Sequence, residues 1–139
     1  MAQTRFNGPV RSDNGFIGGH QLTSANAINV TGTATAAQVA DGYITSTSAA
    51  PVTITLPTGT ALGTAIGASR GTVLDLFIDN TAGADVVTVA VNTHAILSTA
   101  AADTAGSFGD LTIAAGATGM ARFTLMFSSA TAYTFTRTA

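Results

Sequence analysis

The sequence predicts an all-β fold: an antiparallel β-sandwich or jelly-roll-like barrel of about eight short strands. It also predicts one short helix near 58–67 and an extended N-terminal arm. Three observations favour this class. Apolar and polar residues alternate with a period of two from residue 27 onward. Gly-rich turns separate these stretches at short intervals, as in sandwiches and barrels. Charged residues make up only 9% of the chain, with no Lys and no Glu, which disfavours the charged exposed face of a helical bundle.

The chain divides into an arm, residues 1–26, and a body, residues 27–139. A chain of 139 residues that is 46% hydrophobic is long enough for one domain with a core. The arm is rich in Gly, Asn, Ser and Arg and has no lasting period, yet it contains Phe6, Val10, Phe16 and Ile17. A merely solvated tail has no need of two aromatic side chains. We therefore expect the arm to pack either on the body or on a partner.

Alternating patterns predict the strands of the body in chain order. The clearest is Val52–Leu56, in which Val52, Ile54 and Leu56 point one way and two Thr point the other. Runs of Thr-x-Thr are ordinary for an outward strand face, because Thr is both β-branched and polar. The predicted strands are 28–33, 42–47, 52–56, 72–79, 86–91, 111–113, 121–127 and 131–137.

Small and polar residues predict the connections. Residues 80–85 form a tight turn between two strong strands, 114–119 form a second turn, and 128–130 join the last two strands as a hairpin. The one predicted helix begins at Pro57 and Thr58, has Leu62 and Ile66 on one face, and ends at Gly67.

Four residues on two of these strands are predicted to form an oligomer interface. If Leu74, Leu76 and Ile78 face the core, then Phe77 points outward. Its companions at outward positions of a later strand are Met120, Arg122 and Met126. Outward aromatic and Met side chains on a small domain indicate contact with another subunit. The alternative is that the arm or the short helix covers this side of the sheet.

Several function classes are disfavoured. Five scattered Arg in a chain of net charge −2 do not make a nucleic-acid surface. With no Cys there is no disulfide or thiolate site, and no apolar stretch is long enough to cross a membrane or to serve as a secretory signal. Two His and seven Asp without a catalytic motif predict no enzyme and no cofactor. Asp75, Asp79 and Asp85 are candidate ligands of a metal ion, but their spacing favours a solvent-exposed strand face instead.

Parts of the chain resemble a known class of proteins. The opening TRFNGPV (4–10) and DNGF (13–16) look like the N-termini of small tailed-phage head proteins. The stretches ITLPTG (54–59), GTVLDLFIDN (71–80) and VVTV (86–89) are similar to phage capsid decoration, or cement, proteins. The resemblance implies a β-rich homotrimer that binds the outer surface of the phage head.

The resulting expectation is a structural virion protein whose partners are the major capsid protein and copies of itself, with neither nucleic acid nor membrane involved. We place the capsid contact in the arm, at Arg5, Phe6, Arg11 and Phe16, because Arg and aromatic residues are enriched at interfaces. Low surface charge suits a subunit that its neighbours largely cover. The alternative is a receptor- or carbohydrate-binding module of a tail fibre or head fibre.

Overall fold

The computed structural model describes residues 26–97 and 111–139. Strands dominate, and the elements follow one another in the order β1, α1, β2, β3, α2, β4, β5, β6, β7, β8, β9. Their bounds are β1 Gly32–Thr33, α1 Ala36–Ala40, β2 Tyr43–Thr45, β3 Val52–Thr55, α2 Gly59–Ile66, β4 Val73–Asp79, β5 Val87–Ala90, β6 Ala95–Leu97, β7 Thr112–Ile113, β8 Met120–Ser129 and β9 Ala132–Arg137.

The strands form two sheets. One has four strands in the order β1-β3-β5-β7, and the other has five in the order β2-β4-β8-β9-β6. Inward side chains of both sheets belong to one hydrophobic cluster, to which Ile54 and Val89 come from the first sheet and Leu76 and Phe123 from the second. Burial of these side chains is the main favourable term that holds the two sheets in place.

The prediction of an antiparallel architecture is wrong for four of the seven strand pairs in the described residues. The pairs β1–β3, β3–β5, β2–β4 and β6–β9 are parallel. Strands β1 to β8 alternate between the two sheets. Apart from β8 and β9, paired strands are therefore joined by crossovers and not by hairpins, and a crossover lets the partner run in the same direction, as in β1 and β3, or in the opposite one, as in β5 and β7.

One predicted turn connects the two sheets. Residues 80–85 do separate two strands, but β4 and β5 lie in different sheets and do not form a hairpin. The predicted hairpin at 128–130 is confirmed, since β8 and β9 pair antiparallel with an irregularity between Phe127 and Ser129. Each of the eight predicted strands has a counterpart, and β6 is an additional one.

The predicted helix is confirmed as α2. The Thr58 side chain accepts a hydrogen bond from the Ala61 backbone N–H, and Gly67 ends the helix in the left-handed conformation, with φ of +63°. The shorter helix α1 was not predicted. It begins with a capping box, in which the Thr35 and Gln38 side chains each bond the backbone N–H of the other residue.

Candidate functional site

The outer side of the five-stranded sheet exposes six large hydrophobic side chains. We call this side the apolar face. Its strand register forms one row from Val73 through Met126 and Thr134 to Ile96, across four strands. A second row joins Tyr43, Phe77 and Arg122. The exposed large hydrophobic members of the apolar face are Tyr43, Val73, Phe77, Ile96, Met120 and Met126.

This face exists because two strands are apolar on both sides. In β4, Leu76 and Ile78 are fully buried, whereas Phe77 between them is 37% exposed. In β8, Phe123 and Leu125 are fully buried, whereas Met126 is 54% exposed. Successive side chains of a strand point to opposite faces, so the inner set fills the core and the outer set is left in water. Single apolar residues are common on protein surfaces, but several large ones on one side of a sheet indicate an interaction site.

Charged groups interrupt the apolar face. Asp75 accepts a hydrogen bond of 2.6 Å from the Thr124 hydroxyl, and Arg122 Nε donates one of 3.0 Å to the Thr138 hydroxyl. Asp79 accepts a bond of 2.6 Å from the Tyr43 hydroxyl. Within the described residues, Arg122 forms no ion pair. The face therefore offers two carboxylates and one guanidinium to a partner.

Hydrogen bonds shift two pKa values at the edge of this face. Bonds from the hydroxyl groups of Thr81 and Tyr43 hold the pKa of Asp79 below its ordinary value. The bond to Asp79, together with partial burial, raises the pKa of Tyr43 above its ordinary value. Asp79 is thus a carboxylate, and Tyr43 a neutral hydroxyl donor, throughout the neutral pH range.

The structure places the four residues predicted for an oligomer interface on one outer side of the sheet. Phe77 and Arg122 are paired across β4 and β8, and Met120 and Met126 lie on the same outer side of β8. The prediction omitted Val73, Tyr43 and Ile96. Alternation in β4 gives Val73 the same parity as Phe77, so that residue was within reach of sequence reasoning; Ile96 belongs to a strand that the sequence pattern did not reveal. Arg5, Phe6, Arg11 and Phe16 lie outside the described residues.

Comparison of the chain with known protein families, with curated proteins and with solved structures finds no match.

Within residues 26–97 and 111–139, no three His, Asp, Glu or Cys side chains are grouped so that they could hold a metal ion. His94 has a positive φ of 59° in a turn, where its carbonyl oxygen accepts a bond from the Tyr133 N–H. In the same residues, no helix is long and apolar enough to cross a membrane.

The outer side of the four-stranded sheet has a different chemistry. Its register aligns Thr53, Thr88 and Thr112 in one row and Thr33 with Thr55 in the next. A shallow groove of about 310 Å³ lies beside β1, and no charged side chain lines it. The lining residues are Ala27, Ile28, Asn29, Val30, Gly32, Thr33 and Gln38. The two outer sheet surfaces thus differ, one being apolar and sparsely charged and the other rich in hydroxyl groups.

Proposed function

We propose that this chain is a structural protein of a tailed-phage head, a capsid decoration protein. It binds the outer surface of the assembled shell, contacts the major capsid protein and associates with copies of itself as a homotrimer. The apolar face is the observation that carries the proposal. A chain with 9% charged residues that also exposes Val73, Phe77 and Met126 on one sheet is poorly suited to life as a dispersed monomer.

We also propose that the two sheets stack face to face as a β-sandwich. The shared hydrophobic cluster supports this arrangement, because it draws fully buried side chains such as Ile54 and Leu76 from the inner sides of both sheets. Jelly rolls are built from antiparallel strands. The four parallel pairs therefore favour a sandwich of another topology.

In this role the protein acts by mass action. A ligand that binds the assembled lattice, and not the free subunits, stabilises the lattice by an amount that grows with its occupancy. Symmetry repeats each contact many times, and a trimer that engages several contacts at once gains avidity without any new interaction. Such a protein needs neither a catalytic group nor a cofactor.

The proposal is tested by binding to heads. The genes that flank this chain are searched for a major capsid protein, and empty heads assembled from it are mixed with the purified chain and sedimented. We expect saturable co-sedimentation at a fixed stoichiometry, together with greater resistance of the decorated heads to heat. A chain that stays in the supernatant at all ratios contradicts the proposal.

A test variant and a matched control accompany this experiment. The first is a Phe77→Ser/Met126→Ser variant, which keeps the buried inner side of the sheet and removes two large side chains from the apolar face. We expect it to be folded and to lose trimerisation and tight binding to heads. The second is a Thr88→Ser variant on the opposite sheet, which is expected to bind as the parent does. A glycan array with the parent chain tests for the alternative role of a carbohydrate-binding module.

A further inference from the structure

A homotrimer requires two different surfaces on each copy. A surface that pairs with itself produces a two-fold dimer, whereas a three-membered ring closes only when one patch meets a different patch on the next copy. If the chain forms the proposed trimer, the apolar face needs a complement elsewhere on the chain. The following inference rests on that proposed function.

Net charge indicates which part of the chain is the complement of the apolar face. The apolar face has two Asp, at 75 and 79, against one Arg, at 122, so it is acidic by one charge. Residues 1–25, which we call the N-terminal segment, have Arg5 and Arg11 against one Asp, at 13, and so are basic by one charge. The same segment contains large apolar side chains, Phe6, Phe16 and Ile17 among them. Two copies of the apolar face facing each other would instead bring together surfaces of like net charge.

The point at which the described chain begins supports the same pairing. Asn26 to Ile28 run parallel to β2 along the edge of the five-stranded sheet. The Thr45 N–H donates to the Asn26 carbonyl at 3.0 Å, and the Ile28 N–H donates to the Thr45 carbonyl at 2.9 Å. The N-terminal segment therefore joins the body at an edge of the sheet whose outer side is the apolar face.

The N-terminal segment is also long enough. Fully extended, 25 residues span about 80 Å at roughly 3.3 Å each, whereas five strands spaced about 4.8 Å apart are about 20 Å across. We propose that, in the trimer, the N-terminal segment of each copy lies across the apolar face of the next copy. Arg5 and Arg11 then face Asp75 and Asp79, and the aromatic side chains cover the row from Val73 to Ile96. In this arrangement the four arm residues expected at the capsid contact lie between subunits instead, and the capsid contact falls on another surface of the trimer.

Cross-linking tests this arrangement directly, because the chain contains no Cys. Phe16→Cys and Met126→Cys chains with different affinity tags are co-expressed, purified as mixed oligomers and treated with a short bismaleimide. We expect a prominent cross-linked pair that contains both tags. The control replaces Met126→Cys with Thr88→Cys, which lies on the opposite sheet, and should give a severalfold weaker product.

Three results would overturn the inference. Cross-links between two Met126→Cys chains would show that the apolar faces meet each other. Cross-linking confined to single chains of the Phe16→Cys/Met126→Cys double variant would show that the segment covers its own sheet. The absence of both products in a stable trimer would place the segment elsewhere. If such a trimer still decorates heads, only the inference fails; if the chain neither trimerises nor binds heads, the proposed function fails.

A charge reversal provides a second measurement. An Asp75→Arg/Asp79→Arg variant is expected to weaken trimerisation, and adding Arg5→Asp/Arg11→Asp to the same chain is expected to restore it. Sedimentation velocity gives the mass of each species. Weakening without restoration would contradict the pairing of these groups.

Discussion

Single glycines decide how closely helix α2 approaches the hairpin between β8 and β9. A Cβ atom built on Gly63 would lie 1.9 Å from the carbonyl oxygen of Ala130, and one built on Gly59 would lie 2.3 Å from that of Thr131. Both glycines are buried, one helical turn apart, and face the same turn of the hairpin. The absence of a side chain is therefore what lets the helix dock on the backbone.

We expect Gly63→Ala to destabilise the protein by about 1–3 kcal/mol, because the added methyl group forces helix and hairpin apart. Urea unfolding followed by circular dichroism measures the change. Gly32→Ala is the matched control, since the nearest atom to its Cβ would be 3.9 Å away. Equal stability of the two variants would show that the hairpin yields easily to the helix.

Tyr133 makes the stability of the protein depend on alkaline pH. Its ring is buried, and its hydroxyl donates a bond of 2.7 Å to the Pro57 carbonyl. Burial raises the pKa of this phenol above its ordinary value. The folded chain thus keeps the proton at a pH where the unfolded chain has released it, so stability is unaffected below about pH 10 and falls by about 1.4 kcal/mol per pH unit above it.

The two tyrosines of the chain allow this to be followed by tyrosinate absorbance. Tyr43 is 36% exposed, so it is expected to ionise without unfolding, whereas Tyr133 should ionise together with the loss of the β signal in circular dichroism. In Tyr133→Phe the unfolded state gains nothing from ionisation at this position, and the decline above about pH 10 should be shallower. Reversible ionisation of both tyrosines in the folded protein would contradict this account.

At the scale of elements, Asn80 joins three parts of the fold. Its fully buried side-chain amide donates to the carbonyl oxygens of Asp85, Ile113 and Ala114 at 2.9, 3.3 and 3.0 Å. The end of β4 is thereby tied to the loop before β5 and to the end of β7. Sequence reasoning recognised this residue only as part of a turn.

We expect Asn80→Ala to cost about 2–4 kcal/mol, because one buried and two partly buried hydrogen bonds to carbonyl groups are lost together. Thermal unfolding gives the difference. Asn29→Ala is the control, since Asn29 is exposed and its side chain accepts one bond, from the Thr47 N–H. A loss no larger than that of the control would mean that water or a rearranged turn replaces the missing amide.

Patterns of side chains predicted most elements but not their pairing. Alternation located the eight predicted strands, and the cap residues Thr58 and Gly67 located α2. The sequence pattern does not predict helix α1, because a helix of five residues is too short to show a period. Thr35 and Gln38 nevertheless have the spacing of a capping box. The parallel pairs could not be predicted, because alternation tells which face a side chain takes and says nothing of which strand lies beside it.

At the scale of the whole molecule, the apolar face was the predictable part of the candidate site. Parity alone placed Phe77, Met120, Arg122 and Met126 on one outer side, and the structure adds Val73, Tyr43 and Ile96. The sequence pattern does not give the order of strands in the sheet. In that order β6 lies beside β9 and extends the apolar face across the sheet. A surface made by strands distant in sequence exists only once the sheet is assembled.

We expect residues 1–19 to be dispensable for folding of the body but required for its assembly. Deleting residues 1–19 removes Arg5, Phe6, Arg11 and Phe16 and leaves every residue of the described hydrophobic cluster, from Ala34 to Phe135, in place. We therefore expect the shortened chain to fold, with a circular dichroism spectrum and cooperative unfolding close to those of the parent. Because the apolar face loses its complement, the shortened chain should sediment as a monomer or as irregular aggregates, and it should no longer decorate heads. Normal occupancy of heads by a shortened trimer would show that the body alone makes both contacts, and unfolding of the shortened chain would show that these residues belong to the core.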